Sequence, residues 1–153
     1  MITTIHSNLL NETTGIIVHG CSAQGVMGSG IAKSIKERYP QVYYDYTKHC
    51  SFMRRMDPGN LLGSVVFTPI TSQLIFISAI TQEFYGRDEN VCYVSYNAIE
   101  TAFEAINKIA RSAKLQVKFP MIGAGLAGGD WNTISNIIDK TVQSTEKFLF
   151  IKQ

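Results

Sequence analysis

Two stretches of this sequence concentrate glycine where strand-like runs give way to helix-like ones. The first is Gly20-Cys21-Ser22-Ala23-Gln24-Gly25-Val26-Met27-Gly28-Ser29-Gly30, and the second is Gly123-Ala124-Gly125-Leu126-Ala127-Gly128-Gly129. Glycine allows positive φ and carries no Cβ, so main-chain N–H groups can come close to a ligand. A helix starting just after such a turn adds unpaired N–H donors and the positive end of its dipole. Together these suit an anion, phosphate above all. Two such loops at one sheet edge could hold two linked phosphates from opposite sides. The alternative is that the glycines only permit tight turns and close helix–sheet contact.

Known nucleotide fingerprints fit poorly. Gly25 and Gly30 have the glycine spacing of G-x-x-x-x-G-K-[ST], but Ile31 stands at the lysine position and Lys33-Ser34 comes too late. G-x-G-x-x-G fails because the residue three after Gly30 is Lys33, and no acidic residue follows at the expected distance. Neither an ATPase nor a dehydrogenase is expected.

Several side chains beside these loops could move protons or bind charge. His19 precedes the first loop, and an imidazole there could activate water or protonate a leaving oxygen near neutral pH. The other reading is a core histidine with a satisfied hydrogen bond. Asp130 follows Gly129, where aspartate is a good helix N-cap. It could also act as a base, although a fixed carboxylate repels phosphate unless it is offset. Tyr85, Arg87 and Asp88 share a polar stretch in which Arg87 could bind a terminal phosphate or simply be solvated. Cys21 reads as a small packing residue rather than a nucleophile, and His6 and His49 have no evident partner.

The elements that must position these groups alternate between strand and helix. Strands are expected at 2–6, at 15–19 with an end at Gly20, at 63–68, 74–80, 117–121 and 147–151. Helices are expected at 31–39, at 40–50, at 95–113 with Tyr96, Ile99, Phe103, Ile106 and Ala110 on one face, and from Trp131 with Ile134, Ile138 and Val142 inward. Asp57-Pro58-Gly59-Asn60 reads as a turn, and 82–90 as a loop. The pattern is that of an α/β sheet with helices on both faces, whose ligands bind beyond the carboxyl ends of the strands.

A chain of 153 residues suits a single domain, 1–153, able to bury a full core. A net charge of +2, with basic residues scattered, gives no strong nucleic-acid signal. Cys21, Cys50 and Cys92 are odd in number and form no CxxC pair, so reduced thiols are expected, and neither a zinc site nor a disulfide framework. The amino-terminal residues lack a signal-peptide pattern, and no apolar run approaches the ~20 residues that span a bilayer. A cytoplasmic monomer is expected.

Five ordered motifs carry a family resemblance: His19-Gly20-Cys21, Gly28-Ser29-Gly30-Ile31-Ala32, Arg38-Tyr39-Pro40, Asn60-Leu61-Leu62-Gly63, and Pro120-Met121-Ile122-Gly123-Ala124-Gly125-Leu126 with Trp131. They resemble the ADP-ribose-binding macrodomain family, most of all the branch of the yeast-type ADP-ribose 1''-phosphate phosphatase and the terminal ADP-ribose glutamate hydrolase. The resemblance implies a three-layer α/β/α fold with a mixed central sheet of about six strands. It puts Asn8, with Leu9, where the family usually has an aspartate reading the adenine amino group; asparagine can still accept that bond. It turns Ser22 to the distal ribose and assigns the diphosphate to Gly28–Ile31 and Gly123–Ala127, mostly through backbone N–H groups. Cys21, Gly25, Val26, Met27, Thr81, Gly128 and Gly129 complete the implied ligand positions, and Phe84 or Tyr85 could stack on adenine or cover the ribose.

One departure matters. The glutamate hydrolase uses a lysine after an Ile-Thr pair and an aspartate fifth in the second loop, whereas here Gln82 follows Ile80-Thr81 and Ala127 is fifth. Glutamine is no amine nucleophile and alanine transfers no proton, so that mechanism is not expected. The resemblance instead implies hydrolysis of ADP-ribose 1''-phosphate without metal or cofactor, with His19, joined by Asp130, handling the proton. The alternatives are hydrolysis of ADP-ribosyl or O-acyl-ADP-ribose substrates, and a non-catalytic reader or sequestering protein.

Overall fold

A computed structural model describes residues 1–152. Its strands are β1 (Ile2–His6), β2 (Gly15–Ser22), β3 (Val65–Pro69), β4 (Leu74–Gln82), β5 (Val117–Phe119) and β6 (Lys147–Ile151). Its helices are α1 (Gly30–Arg38), α2 (Pro40–Met56), α3 (Tyr96–Ala113) and α4 (Trp131–Thr141). The six strands form one sheet in the order β1-β6-β5-β2-β4-β3. Every pairing is parallel except β3 with β4, which makes the sheet mixed as expected.

The central strands β2 and β4 are buried along almost their whole length because both sheet faces are covered. Alternation divides their side chains between two cores. Ile16, Val18, Ile77 and Ala79 pack with Ile99, Phe103 and Ile106 of α3 and with Ile134 and Ile138 of α4. Ile17, Phe76 and Ile80 pack with Ile35 of α1 and with Val42 and Tyr46 of α2. The result is the three-layer α/β/α arrangement. The α3 stripe behaves as its spacing predicts: Ile99, Phe103 and Ile106 are fully buried, each such side chain contributing roughly 1.5–3 kcal/mol.

Three element ends differ from expectation by more than one residue for a local reason. β2 does not stop at Gly20 but pairs on through Cys21↔Ile80 to Ser22↔Gln82, with a register shift between the last two. Gly20 sits inside the strand because a Cβ there would lie 3.0 Å from both Ile122 Cγ2 and Thr81 Oγ1. α2 continues past Cys50 to Met56 and ends before Pro58, which disfavours helix in the residue preceding it. β5 ends at Phe119 because Pro120 has no N–H for the ladder. The 57–60 turn is a single 3-10 turn, Pro58–Asn60.

Among the described residues, no helix is long and apolar enough to cross a membrane.

Candidate functional site

Beyond the carboxyl ends of β2 and β4 lies a cleft of about 730 Å³. One wall is the end of β2 and the first glycine-rich loop: Gly20, Cys21, Ser22, Val26, Met27, Gly28 and Ser29, with Ala32 of α1. The other is Gln82, Tyr85, Gly86 and Arg87 from the segment after β4, together with Leu126 and Ala127 of the second loop. Of the expected ligand positions, Cys21, Ser22, Val26, Met27, Gly28, Ser29, Leu126 and Ala127 meet here.

The two glycine-rich loops prove to be built differently. In the first, a Cβ at Gly25, Gly28 or Gly30 would meet nothing within 4 Å, so this backbone faces open space. Gly25 and Gly30 also hold positive φ, +79° and +58°. Ser29 is the N-cap of α1 but makes no side-chain capping bond, so no side chain occupies the first-turn N–H donors beside the cleft. The donors at this end of α1 can receive an anion. In the second loop, a Cβ at Gly123 would be 2.8 Å from Val94 Cγ2, at Gly128 2.6 Å from the Val91 carbonyl, and at Gly129 2.6 Å from the Gly123 carbonyl. These three glycines permit close packing. The two loops thus differ in their surroundings: the first has open space at all three of these glycines, and the second at Gly125 alone among its four.

The remaining expected positions lie off the cleft lining. Asn8 caps a short turn by accepting the Leu10 N–H at 3.0 Å, and Leu9 is buried in the α1–α2 core. Ile31 packs partly against that same core. Ala124 is half-buried, Gly125 is exposed with open space around it, and the Thr81 hydroxyl is buried without a partner.

Both expected catalytic side chains lie off the cleft lining. His19 is wholly buried, three residues before β2 ends, with Nε2 2.8 Å from Ser78 Oγ and Nδ1 3.4 Å from Cys21 Sγ. Burial lowers its pKa from the usual 6.5 to about 4, so at neutral pH it is an uncharged core imidazole away from the cleft. The cause is the continuation of β2, which leaves His19 within the sheet rather than at its end. Asp130 is the N-cap of α4: it accepts from the Asn132 N–H at 3.3 Å and from the Thr133 hydroxyl at 2.8 Å. It does not line the cleft, and its carboxylate occupies the anion-binding end of α4. Cys21 does reach the lining, but burial pushes its thiol pKa far up, which leaves it a packing residue.

Sequence reasoning missed the supports of the open loop. The Tyr46 hydroxyl, from α2, accepts the Gly25 N–H at 3.1 Å and donates to the Ser22 carbonyl. Tyr43 donates to the Gly25 carbonyl at 3.4 Å, and Arg54 donates to the Ala23 carbonyl at 3.1 Å while pairing with Glu83. These partners lie 18 to 31 residues apart in the chain, and only the tyrosine richness of α2 hinted at them. Tyr46→Phe should cost about 1–3 kcal/mol, since it leaves a buried carbonyl and N–H unpaired. It should also loosen ligand binding several-fold; urea melts and ligand titration would show an unchanged protein if the hydroxyl does not hold the loop.

Among the described residues no cluster of His, Cys, Asp or Glu could hold a metal ion. The cleft lining contains no histidine, lysine or carboxylate, and Arg87 is its one fully charged group.

The family model described as "Macro domain" matches residues 18–138. The ADP-ribose 1''-phosphate phosphatase of Scheffersomyces stipitis is 25% identical over 147 residues, covering 84% of each chain. The DNA ADP-ribosyl glycohydrolase of Mycobacterium tuberculosis is 27% identical over 139 residues, covering 88% of this chain but only 36% of that protein. A Bacteroides thetaiotaomicron protein of unknown function superposes with a TM-score of 0.86 at 21% identity, covering 100% of this chain and 98% of the other.

Proposed function

This chain belongs to the macrodomain family, and from that premise we propose that its cleft binds ADP-ribose and hydrolyses ADP-ribose 1''-phosphate to ADP-ribose and orthophosphate. The observation that carries the binding is the uncapped start of α1 beside Gly25, Gly28 and Gly30, open along one wall of a cleft without carboxylates. Neutral N–H donors there suit a diphosphate, and Leu126 and Ala127 close the opposite side. Similarity to the Scheffersomyces stipitis phosphatase along most of both chains supports the choice of bond.

The chemistry must proceed without a histidine, lysine or carboxylate on the cleft wall. Fixed donors would position the 1''-phosphate and stabilise charge developing on its oxygens, which dominates phosphoryl transfer. Water attacks phosphorus, the bond to the ribose oxygen breaks, and that oxygen leaves with a proton ultimately supplied by the attacking water. A phosphate oxygen of the substrate relays it.

A second reading, non-catalytic ADP-ribose binding, is favoured by the same absence of histidine, lysine and carboxylate from the lining. Orthophosphate release from ADP-ribose 1''-phosphate, measured beside melting with and without ADP-ribose, separates the two. At a hundredfold excess over Kd, ADP-ribose should stabilise by about 2.7 kcal/mol, raising Tm by roughly 5–10 °C. Phosphate release alongside that shift is the expected result. A shift without release leaves a binder, and no shift removes the ADP-ribose reading. Release of ADP-ribose from ADP-ribosylated DNA instead would place the chain with its Mycobacterium tuberculosis relative.

A further inference from the structure

We propose that Arg87 is the specificity residue of the cleft, its guanidinium binding the phosphate carried on the distal ribose of the ligand. This rests on the ADP-ribose reading above and names what would distinguish the phosphorylated ligand from ADP-ribose itself. The open loop and the α1 terminus offer neutral backbone donors, which suffice for a diphosphate but carry no full charge. A phosphate monoester adds up to two further negative charges, and the only cationic side chain on the lining is Arg87.

Arg87 is also free to act. Among the described residues, the salt bridges engage Arg54, Lys118, Lys147 and the N-terminal ammonium, and none involves Arg87. Arg54, the other arginine tied to the first loop, is held by Glu83 and the Ala23 carbonyl. The adjacent Asp88 carboxylate accepts the Asn90 N–H at 3.0 Å within its own turn.

The backbone on either side of Arg87 lies against one tyrosine, and a hydrogen bond ties it there on the Asp88 side. A Cβ at Gly86 would fall 2.2 Å from the Tyr93 hydroxyl, so the chain passes against that ring only as glycine. The Asp88 N–H donates to the same hydroxyl at 3.3 Å. Tyr93 in turn donates its N–H to the Ala127 carbonyl at 2.7 Å, in the opposite glycine-rich loop. Arg87 is therefore carried on a short arch tied to the cleft wall, not on a free loop. A guanidinium so placed can grip two oxygens of a phosphate, which an ammonium cannot do in the same geometry.

The test compares dissociation constants for ADP-ribose and ADP-ribose 1''-phosphate, with KM replacing Kd for the second if it is turned over. Arg87→Gln should weaken the phosphorylated ligand about 10- to 100-fold, as expected for loss of charge-assisted bonds, and ADP-ribose by less than about threefold. Arg87→Lys should recover part of that selectivity. Tyr93→Phe, which keeps the ring and removes the anchor, should lose a smaller share of it. Equal weakening of both ligands by Arg87→Gln overturns the inference while leaving the ADP-ribose reading standing. A wild-type protein that binds neither overturns the ADP-ribose reading and this inference with it.

Discussion

Gly128→Ala is expected to destabilise the protein by about 3 kcal/mol and to weaken nucleotide binding more than tenfold. Gly128 has φ +77°, in the left-handed region where an L side chain costs roughly 1–2 kcal/mol. Its added Cβ would also lie 2.6 Å from the Val91 carbonyl, a backbone atom that cannot rotate aside. Relief requires the second loop to move away from the 91–94 segment. That movement would break the bonds from the Tyr93 and Val94 N–H groups to the Ala127 carbonyl, 2.7 and 3.2 Å, which hold the cleft wall together. For a domain of this size the loss corresponds to a Tm about 6–12 °C lower. Gly25→Ala is the matched control: φ is +79°, yet nothing lies within 4 Å, so only the conformational strain should appear. Thermal and urea melts of the two variants would contradict this account if they lost equal stability.

That pair of glycines shows why the site was only half legible in the sequence. The same residue type serves two ends, leaving open space beside the backbone at Gly25, Gly28 and Gly30, and admitting a neighbouring chain at Gly123, Gly128 and Gly129. Local sequence cannot separate these, because what fills the space comes from Val91, Val94 and Ile134, remote or nearby by accident of folding. The fold was easier to read. Periodicity is a local property, so α3 and α4 and the mixed six-stranded sheet followed from apolar spacing and from the family motifs. Strand and helix ends were harder, since pairing partners set them: β2 runs past Gly20 because Cys21 and Ser22 find Ile80 and Gln82 on β4. Tyr46 and Tyr93, the two hydroxyls that fasten the cleft walls, bind main-chain atoms and leave no motif. Arg87 was visible as a candidate, but its being unpaired, on a backbone that lies against Tyr93, is a property of the tertiary structure.

The extension of β2 also decides what His19 does, and this yields the second large effect. With its folded pKa near 4 and an unfolded value near 6.5, His19 binds its proton more readily in the unfolded chain. Above about pH 6.5 both states are neutral, and the full stability is present. As pH falls from 6.5 to about 4, the unfolded state alone gains the proton, and stability drops by about 1.4 kcal/mol per pH unit, some 3 kcal/mol in all. Below that window both states are protonated and the contribution levels off. His49, whose pKa burial also lowers, adds slope in the same direction, and Asp139, held low by Lys147 and the N-terminus, adds its own below the usual carboxylate range. Both remain in a His19→Gln variant, so subtracting its urea-derived stability curve from that of wild type isolates His19. The difference should change by about 3 kcal/mol between pH 7 and pH 4 and be flat on either side. The same variant discriminates the chemistry. A general acid or base in the reaction contributes about 10²–10⁴-fold, whereas a core imidazole contributes nothing to turnover by folded protein. His19→Gln should therefore release phosphate at pH 7 within about threefold of wild type; a hundredfold loss would return the proton to His19 and require the core to open during catalysis.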